Sequence, residues 1–286
     1  MHSEAFTLYH PARRETPVVF SSPHSGRAYP PAFLAGSVLD AHVIRSSEDA
    51  FVDDLFRSAT DHGAPLIAAN APRAYIDLNR AADELDAAVV EDVVRSPHNP
   101  RVASGLGVIP RVVSGARAIY RGKMPLAEAE SRIRDHWHPY HAALRSLTED
   151  SHAQFGQSVL IDCHSMPHEA IEAHSRPGLL RPDVVLGDRF GAAAARDVMD
   201  HVEAAFRRAG LRVSRNAPFA GAYIAQTYGR PSRGFHVVQV EIDRALYMDE
   251  ARIEPLPGFE AFRALIAGVV AEIAAIGRLQ VPLAAE

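Results

Sequence analysis

A chain of 286 residues, 47% hydrophobic and 23% charged, is long and apolar enough for one large α/β domain or two small ones. Its formal net charge of -5 leaves no basic excess for phosphates and argues against a nucleic-acid partner, while the single cysteine, Cys163, excludes an internal disulfide and fits a reducing compartment. The first twenty residues hold no apolar signal core, and the longest apolar stretch, around Leu265 to Ile276, is broken by Gly268 and Glu272, so the sequence predicts a soluble cytoplasmic protein without a membrane partner.

Thr16 to Ser22 reads as a buried strand running into the breaker Pro23. Glu48 to His62 has helical period in Phe51, Val52, Leu55, Phe56 and Ala59, closed by Gly63. Short strands are expected over Ala64 to Ala69 and Ala74 to Leu78, around the turn-prone Asn70 to Pro72. Leu126 to Leu147 is helical by period, with Pro139 set to end or kink it. Ser158 to Asp162 reads as a second buried strand, leading into Cys163-His164-Ser165. A helix over Gly191 to Ala209, strands over Leu211 to Ser214 and His236 to Asp243, and a closing helix over Pro257 to Ile276 complete the series. Alternating strands and helices predict a largely parallel sheet, whose ligand site lies at the carboxyl ends of its strands. His24 and His164 are each expected just past such an end.

Fifteen histidines are present, and a lone histidine is normally a surface residue or a satisfied core residue. His24 and His164 differ because both follow an apolar strand among small, turn-forming neighbours. Two histidines and one carboxylate form the protein ligand set of a catalytic zinc, which keeps one position open for water. Glu48 and Asp49 are the carboxylate candidates, although acids at a helix start also serve as caps. Arg73 through Arg80 holds two arginines and Asn79, which can clamp a carboxylate through a guanidinium fork and a directional amide. The competing account is a strand end with structural salt bridges, Asp77 to Arg80 among them. Glu241 shares one strand face with Gln239 and Asp243, opposite Val238, Val240 and Ile242. It is a candidate general base if buried, and a solvated sheet face if not.

Several patterns carry no site. His168-Glu169 through His174 lacks the four-residue spacing of a zincin helix, and Pro139 spoils a ligand face for His136, His138 and His141. No nucleophile elbow, P-loop or dinucleotide glycine fingerprint is present. Cys163 beside His164 could suggest a thiol nucleophile, but neighbours on a strand point to opposite faces.

Pro23-His24-Ser25-Gly26, Glu48-Asp49 with Val52-Asp53 and Leu55, Arg73 through Arg80, Asp162-Cys163-His164-Ser165, and Val240-Glu241 with Tyr247-Met248 occur in one order. In this the chain resembles the N-formylglutamate amidohydrolase family over most of its length. Trp137 through His141, and Asn216-Ala217-Pro218-Phe219 with Gly221 and Tyr223, look like its secondary motifs. The resemblance implies a single domain over 1–286 with a three-layer α/β/α sandwich on a mixed, mainly parallel sheet, of the zinc exopeptidase type. It also implies a distant likeness to aspartoacylases and metallocarboxypeptidases, whose first histidine is followed three residues later by a glutamate ligand. Arg27 stands there in this chain, so the resemblance makes Asp49 the carboxylate ligand, with Glu48 the close alternative.

The implied site is one zinc ion on His24, Asp49 and His164, Glu241 as general base, and Arg73 polarising the scissile carbonyl. Asn79 and Arg80 would hold a substrate carboxylate, with Arg80 setting a preference for acidic amino acids. Arg230 and Arg233 are offered by charge for a second carboxylate. The implied reaction is hydrolysis of N-formyl-L-glutamate, or a similar small-molecule N-acyl acidic amino acid, to formate and glutamate. The alternatives are a deacylase for another N-acyl amino acid, and a metal-dependent binding protein on the same fold.

Overall fold

The computed structural model describes residues 4–94, 99–174 and 181–278. Its centre is a seven-stranded sheet built from β1 (Phe6–Tyr9), β2 (Val18–Ser22), β3 (Leu66–Ala69), β4 (Ser158–Met166), β5 (Val184–Gly187), β6 (Val213–Arg215) and β7 (Phe235–Asp243). The spatial order is β1-β3-β2-β4-β7-β5-β6. Strands β3, β2, β4 and β7 run parallel; β1 is antiparallel to β3, and β5 is antiparallel to β7. The sheet is therefore mixed, with its parallel strands at the centre. These central strands read as near-continuous apolar runs because helices cover both faces.

Period two along the strands sorts the core into two layers. Val18, Phe20, Val159, Ile161, Cys163, Val238, Val240 and Ile242 face one cluster, which packs on α3 (Arg196–Arg208) and α5 (Phe259–Ala274) through Val202, Phe206, Ile266 and Val270. Val19, Leu160 and Val237 face the other, which packs on α1 (Leu126–Arg132) and α2 (His138–Phe155) through Ala129, Tyr140 and Leu144. The expected three-layer α/β/α sandwich is thus present.

Local geometry departs from the sequence expectations in four places. Strand β4 runs on to Met166, so His164 lies inside the strand and not just past its end. Glu48 and Asp49 do not open a long helix: they follow a 3₁₀ turn over Val43–Ser47, and Phe51 then takes a left-handed backbone (φ 66°) before one turn over Val52–Leu55 and a 3₁₀ stretch over Arg57–His62. Ala74 to Leu78 forms no strand; Pro72 accepts from the backbone N–H groups of Tyr75 and Ile76, which closes a turn. At Pro139 the helix neither ends nor breaks. A π-helical turn over Ile133–Trp137 widens the backbone where proline lacks a donor and crowds the preceding turn, and α2 continues to Phe155. No helix of the described residues is long and apolar enough to cross a membrane.

Candidate active site

The cavity at the carboxyl ends of the central strands measures about 520 Å³. His24, Asp49, Arg73, Asn79, Arg80, His164 and Glu241 all line it. Five segments bring them together: the loop after β2, the stretch holding Asp49, the turn segment from Arg73 to Arg80, β4 and β7. His24 stands two residues beyond β2, on a loop pressed against Asn70 and Ala71: a Cβ on Gly26 would come within 2.1 Å of the Ala71 carbonyl oxygen, so only glycine fits. His164 and Glu241 are register partners on β4 and β7, on the face where Leu160 and Val237 fill the α2 core lower down. The polar ends of these two strands therefore continue an apolar face.

His24, Asp49 and His164 are 2%, 1% and 2% exposed. Asp49 Oδ2 lies 2.9 Å from His164 Nδ1 and 3.4 Å from His24 Nδ1, and one ligand atom from each of the three residues falls within 4.8 Å of the others. Tetrahedral donors about 2.0–2.1 Å from zinc stand about 3.3 Å apart, so this cluster has the spacing of a metal site. His24 Nδ1 is buried without a hydrogen-bond partner, as an unused lone pair would be. Behind the cluster, His24 Nε2 meets Asp77 Oδ1 at 2.7 Å and His164 Nε2 meets Asp162 Oδ2 at 3.0 Å. A carboxylate on the far nitrogen places the ring proton there and turns Nδ1 inward, the arrangement usual behind metal-bound histidines. The residues present fit a single metal ion.

The adjacent acids separate cleanly. The Glu48 carboxylate is held by Arg45 Nε and Nη2 at 3.0 and 3.1 Å, whereas Asp49 donates its backbone N–H to the His24 carbonyl and turns its side chain into the cluster. Burial opposes ionisation of Asp49, but the hydrogen bond with His164 and the His24 ring close beside it outweigh burial and hold the carboxyl well below its ordinary range. Burial likewise opposes a charged His164, yet Asp162 and Asp49 raise its pKa well above the usual value.

Glu241 faces the cavity, not solvent. Burial pushes its pKa up to about 7, with His164 and Arg73 opposing and Asp49 adding to the rise. Its Oε1 accepts from Gln239 Nε2 at 2.8 Å, and Gln239 is itself fixed by the backbone N–H of Ala222. Arg73 uses Nε to bind Asp77 at 3.0 Å, so the salt bridge of this segment joins Arg73 to Asp77 and not Asp77 to Arg80. Arg80 donates instead to the carbonyls of Leu106 and Asn79.

Asn79 is engaged at both ends of its amide. Oδ1 accepts from the backbone of Ile224, in α4 (Tyr223–Tyr228), and Nδ2 donates to Asp162 at 3.3 Å while touching the His164 ring. It braces His164 from the cavity wall. The π turn explains how this segment is gripped: Trp137 Nε1 donates to the Arg80 carbonyl and His141 Nε2 to the Leu78 carbonyl. The histidine-rich helix is thus a clamp on the cavity-facing segment, and His141 lies outside the cavity lining.

Cys163 points into the opposite core layer, where burial drives its thiol pKa well up, which removes it as a nucleophile. Neither Arg230 nor Arg233 reaches the cavity; the Arg230 guanidinium binds the carbonyls of Gln226 and Gly229. Sequence reasoning missed Arg244, just past β7, which lines the cavity and donates through Nη2 to Asp49 Oδ1 at 2.9 Å. It also missed the orienting roles of Asp77 and Asp162, although period two already puts Asp162 on the face of His164.

Residues 16–248 match the family described as N-formylglutamate amidohydrolase. The chain is 32% identical over 241 residues to an N-formylglutamate deformylase of Pseudomonas aeruginosa, covering 83% of this chain and 84% of that protein. A second N-formylglutamate deformylase, from Pseudomonas putida, is 29% identical over 82% of each chain. The crystal structure of N-formylglutamate amidohydrolase from Ralstonia eutropha superposes with a TM-score of 0.89 at 36% identity, covering 96% of this chain and 98% of that one. A gene product of Agrobacterium tumefaciens, at 16% identity and a TM-score of 0.65, shares the fold. By sequence over most of its length and by fold, the chain belongs to the N-formylglutamate amidohydrolase family.

Proposed function

We propose that this protein is a metal-dependent amidohydrolase that cleaves N-formyl-L-glutamate, or a similar N-acyl acidic amino acid, to the free acid and amine. The residues that would hold one zinc ion are His24 and His164 through Nδ1 and Asp49 through Oδ2. Bound there, zinc supplies Lewis acidity and lowers the pKa of a water to about 7.

The chain's own groups do the rest. Glu241, with a pKa near 7, accepts the proton of the attacking water and returns it to the leaving nitrogen as the amide C–N bond breaks. Arg73 is fixed through Nε by Asp77, which leaves its terminal nitrogens to donate to the oxyanion that develops on the acyl oxygen. One such donor is worth about 2.7–4 kcal/mol in other hydrolases. Arg80 holds a substrate carboxylate, and Asn79 keeps His164 and Asp162 in place beneath it.

The observation that carries this reading is the meeting of His24, Asp49, His164 and Glu241 in one cavity wall of a member of this family. The printed names of the relatives support the formyl group and the glutamate. Incubating the purified protein with a panel of N-acyl amino acids, and scoring free amine before and after chelation and zinc restoration, tests it. Free amine from N-formylglutamate, lost on chelation and regained with zinc, is the expected result. Turnover indifferent to chelation removes the metal, and no free amine from any member of the panel removes the enzyme.

A further inference from the structure

Among the described residues, four arginines line the cavity: Arg73, Arg80, Arg101 and Arg244. Two are neutralised within the protein, Arg73 by Asp77 and Arg244 by Asp49. The other two are not. Arg80, only 6% exposed, donates to two backbone carbonyls, Leu106 and Asn79, neither of which carries a charge. Burial depresses its pKa, with the like charges of Arg73 and Arg101 adding to the effect and Asp77 opposing it. Arg101 is exposed, and among the described residues its side chain forms no ion pair with an acid. A buried cation beside a second unpaired cation is costly unless an anion joins them. Asp77 and Glu84 act on Arg80 from within the protein, but among the described residues neither forms an ion pair with Arg80 or Arg101, and both arginines line the cavity from which an anion would enter.

The spacing of the two cations is built into the backbone. Leu106 accepts the Arg80 Nε at 2.8 Å through its carbonyl, and its own N–H donates to the Arg101 carbonyl at 2.8 Å. The start of the Pro100–Ala103 turn is pinned in turn by Asn99, whose Oδ1 caps the N–H groups of Arg101 and Val102 and whose Nδ2 binds Glu84. Contacts run from the cluster in sequence: the His164 ring touches Asn79, Arg80 binds the Asn79 carbonyl and the Leu106 carbonyl, and the Leu106 N–H binds the Arg101 carbonyl. A substrate with one carboxylate beside the scissile amide and a second at the end of its side chain matches that order.

We propose that Arg101 selects dicarboxylic amino acids by pairing with the side-chain carboxylate of an N-acyl substrate whose α-carboxylate is held by Arg80. This rests on the function proposed above and moves the acidic preference outward from Arg80 to Arg101. An exposed guanidinium can rotate to meet an incoming carboxylate without an internal partner to displace, and the contact is partly screened by salt.

The test compares kcat/KM for N-formyl-L-glutamate and N-formyl-L-glutamine, which differ only in the distal carboxylate. In Arg101→Ala the preference for the glutamate substrate falls at least about tenfold, carried by KM, and Arg101→Lys restores part of it. Raising ionic strength erodes the wild-type preference and leaves that of Arg101→Ala flat. A preference that survives in Arg101→Ala, or a loss carried by kcat for both substrates alike, overturns the assignment while leaving the amidohydrolase reading intact. Wild-type protein that releases no amine from either substrate overturns both.

Discussion

Arg244 Nη2 donates to Asp49 Oδ1 at 2.9 Å, while Asp49 Oδ2 faces the Nδ1 atoms of both His164 and His24. The two oxygens of one carboxylate thus face different partners, and only Oδ2 is turned toward the two histidines, as a one-oxygen ligand would be. Arg244 is fixed in turn by Ser165 Oγ and the Ser46 carbonyl. Asp49→Ala should abolish metal retention, and Arg244→Gln should weaken metal affinity about 10–100-fold, as loss of a group orienting a ligand does. Glu48→Ala should leave metal content near wild type, because Glu48 is spent on Arg45. Metal analysis after dialysis ranks the three; loss in Glu48→Ala with retention in Asp49→Ala would reverse the assignment of the ligand.

Asp77 and Asp162 orient the two histidines, so Asp77→Asn and Asp162→Asn should retain the fold but weaken metal affinity by about one to two orders of magnitude. Competition against a chelator measures this without reference to turnover. His164→Ala, which deletes a ligand outright, should hold no metal at all. Full occupancy in that variant removes His164 from the site.

Glu241→Gln keeps the shape and the hydrogen bond to Gln239 while losing the base. It should retain metal and substrate affinity and lose at least about two orders of magnitude in kcat. Near-normal turnover would return Glu241 to a purely structural place beside His164.

The two inner arginines should fail in different ways. Arg73→Lys loses the fork that both binds Asp77 and reaches the acyl oxygen, so kcat should fall with little change in KM. Arg80→Lys should raise KM for acidic and neutral N-formyl amino acids alike, since every such substrate has an α-carboxylate. Steady-state kinetics on both variants with both substrates separates the roles; a kcat defect in each would merge them.

His141 gives the fold a pH dependence of its own. Burial lowers its pKa to about 4, against about 6.5 in an unfolded chain, although the hydrogen bond to the Leu78 carbonyl opposes the fall. The unfolded chain takes up a proton between those values that the folded chain refuses. This contribution to stability is therefore complete above pH 6.5 and is lost as pH falls toward 4, by up to about 3 kcal/mol. Urea midpoints across that window should fall less steeply in His141→Gln than in the wild type, and parallel slopes would show that His141 is not responsible.

The ingredients are legible in the chain alone: apolar runs at 18–20 and 159–161, an alternating apolar stretch at 237–242, and polar residues toward their carboxyl ends. Period two is local, so it could put Glu241 on one face and Val240 on the other from the chain alone. Tertiary structure decided what local pattern cannot encode. Asp49 and Glu48 both read in the chain as a ligand or a helix cap; the left-handed turn at Phe51 cuts the helix short, and Arg45 takes the Glu48 carboxylate. Ala74 to Leu78 alternates like a strand, yet it is a turn, held at the Leu78 carbonyl by His141 and just beyond it, at the Arg80 carbonyl, by Trp137, some sixty residues away in sequence. Strand pairing and helix packing fix these neighbours, and the charge on a group such as Glu241 follows from who its neighbours are. Residue type states what a side chain can do; burial and partners, set only in three dimensions, select which of those things it does.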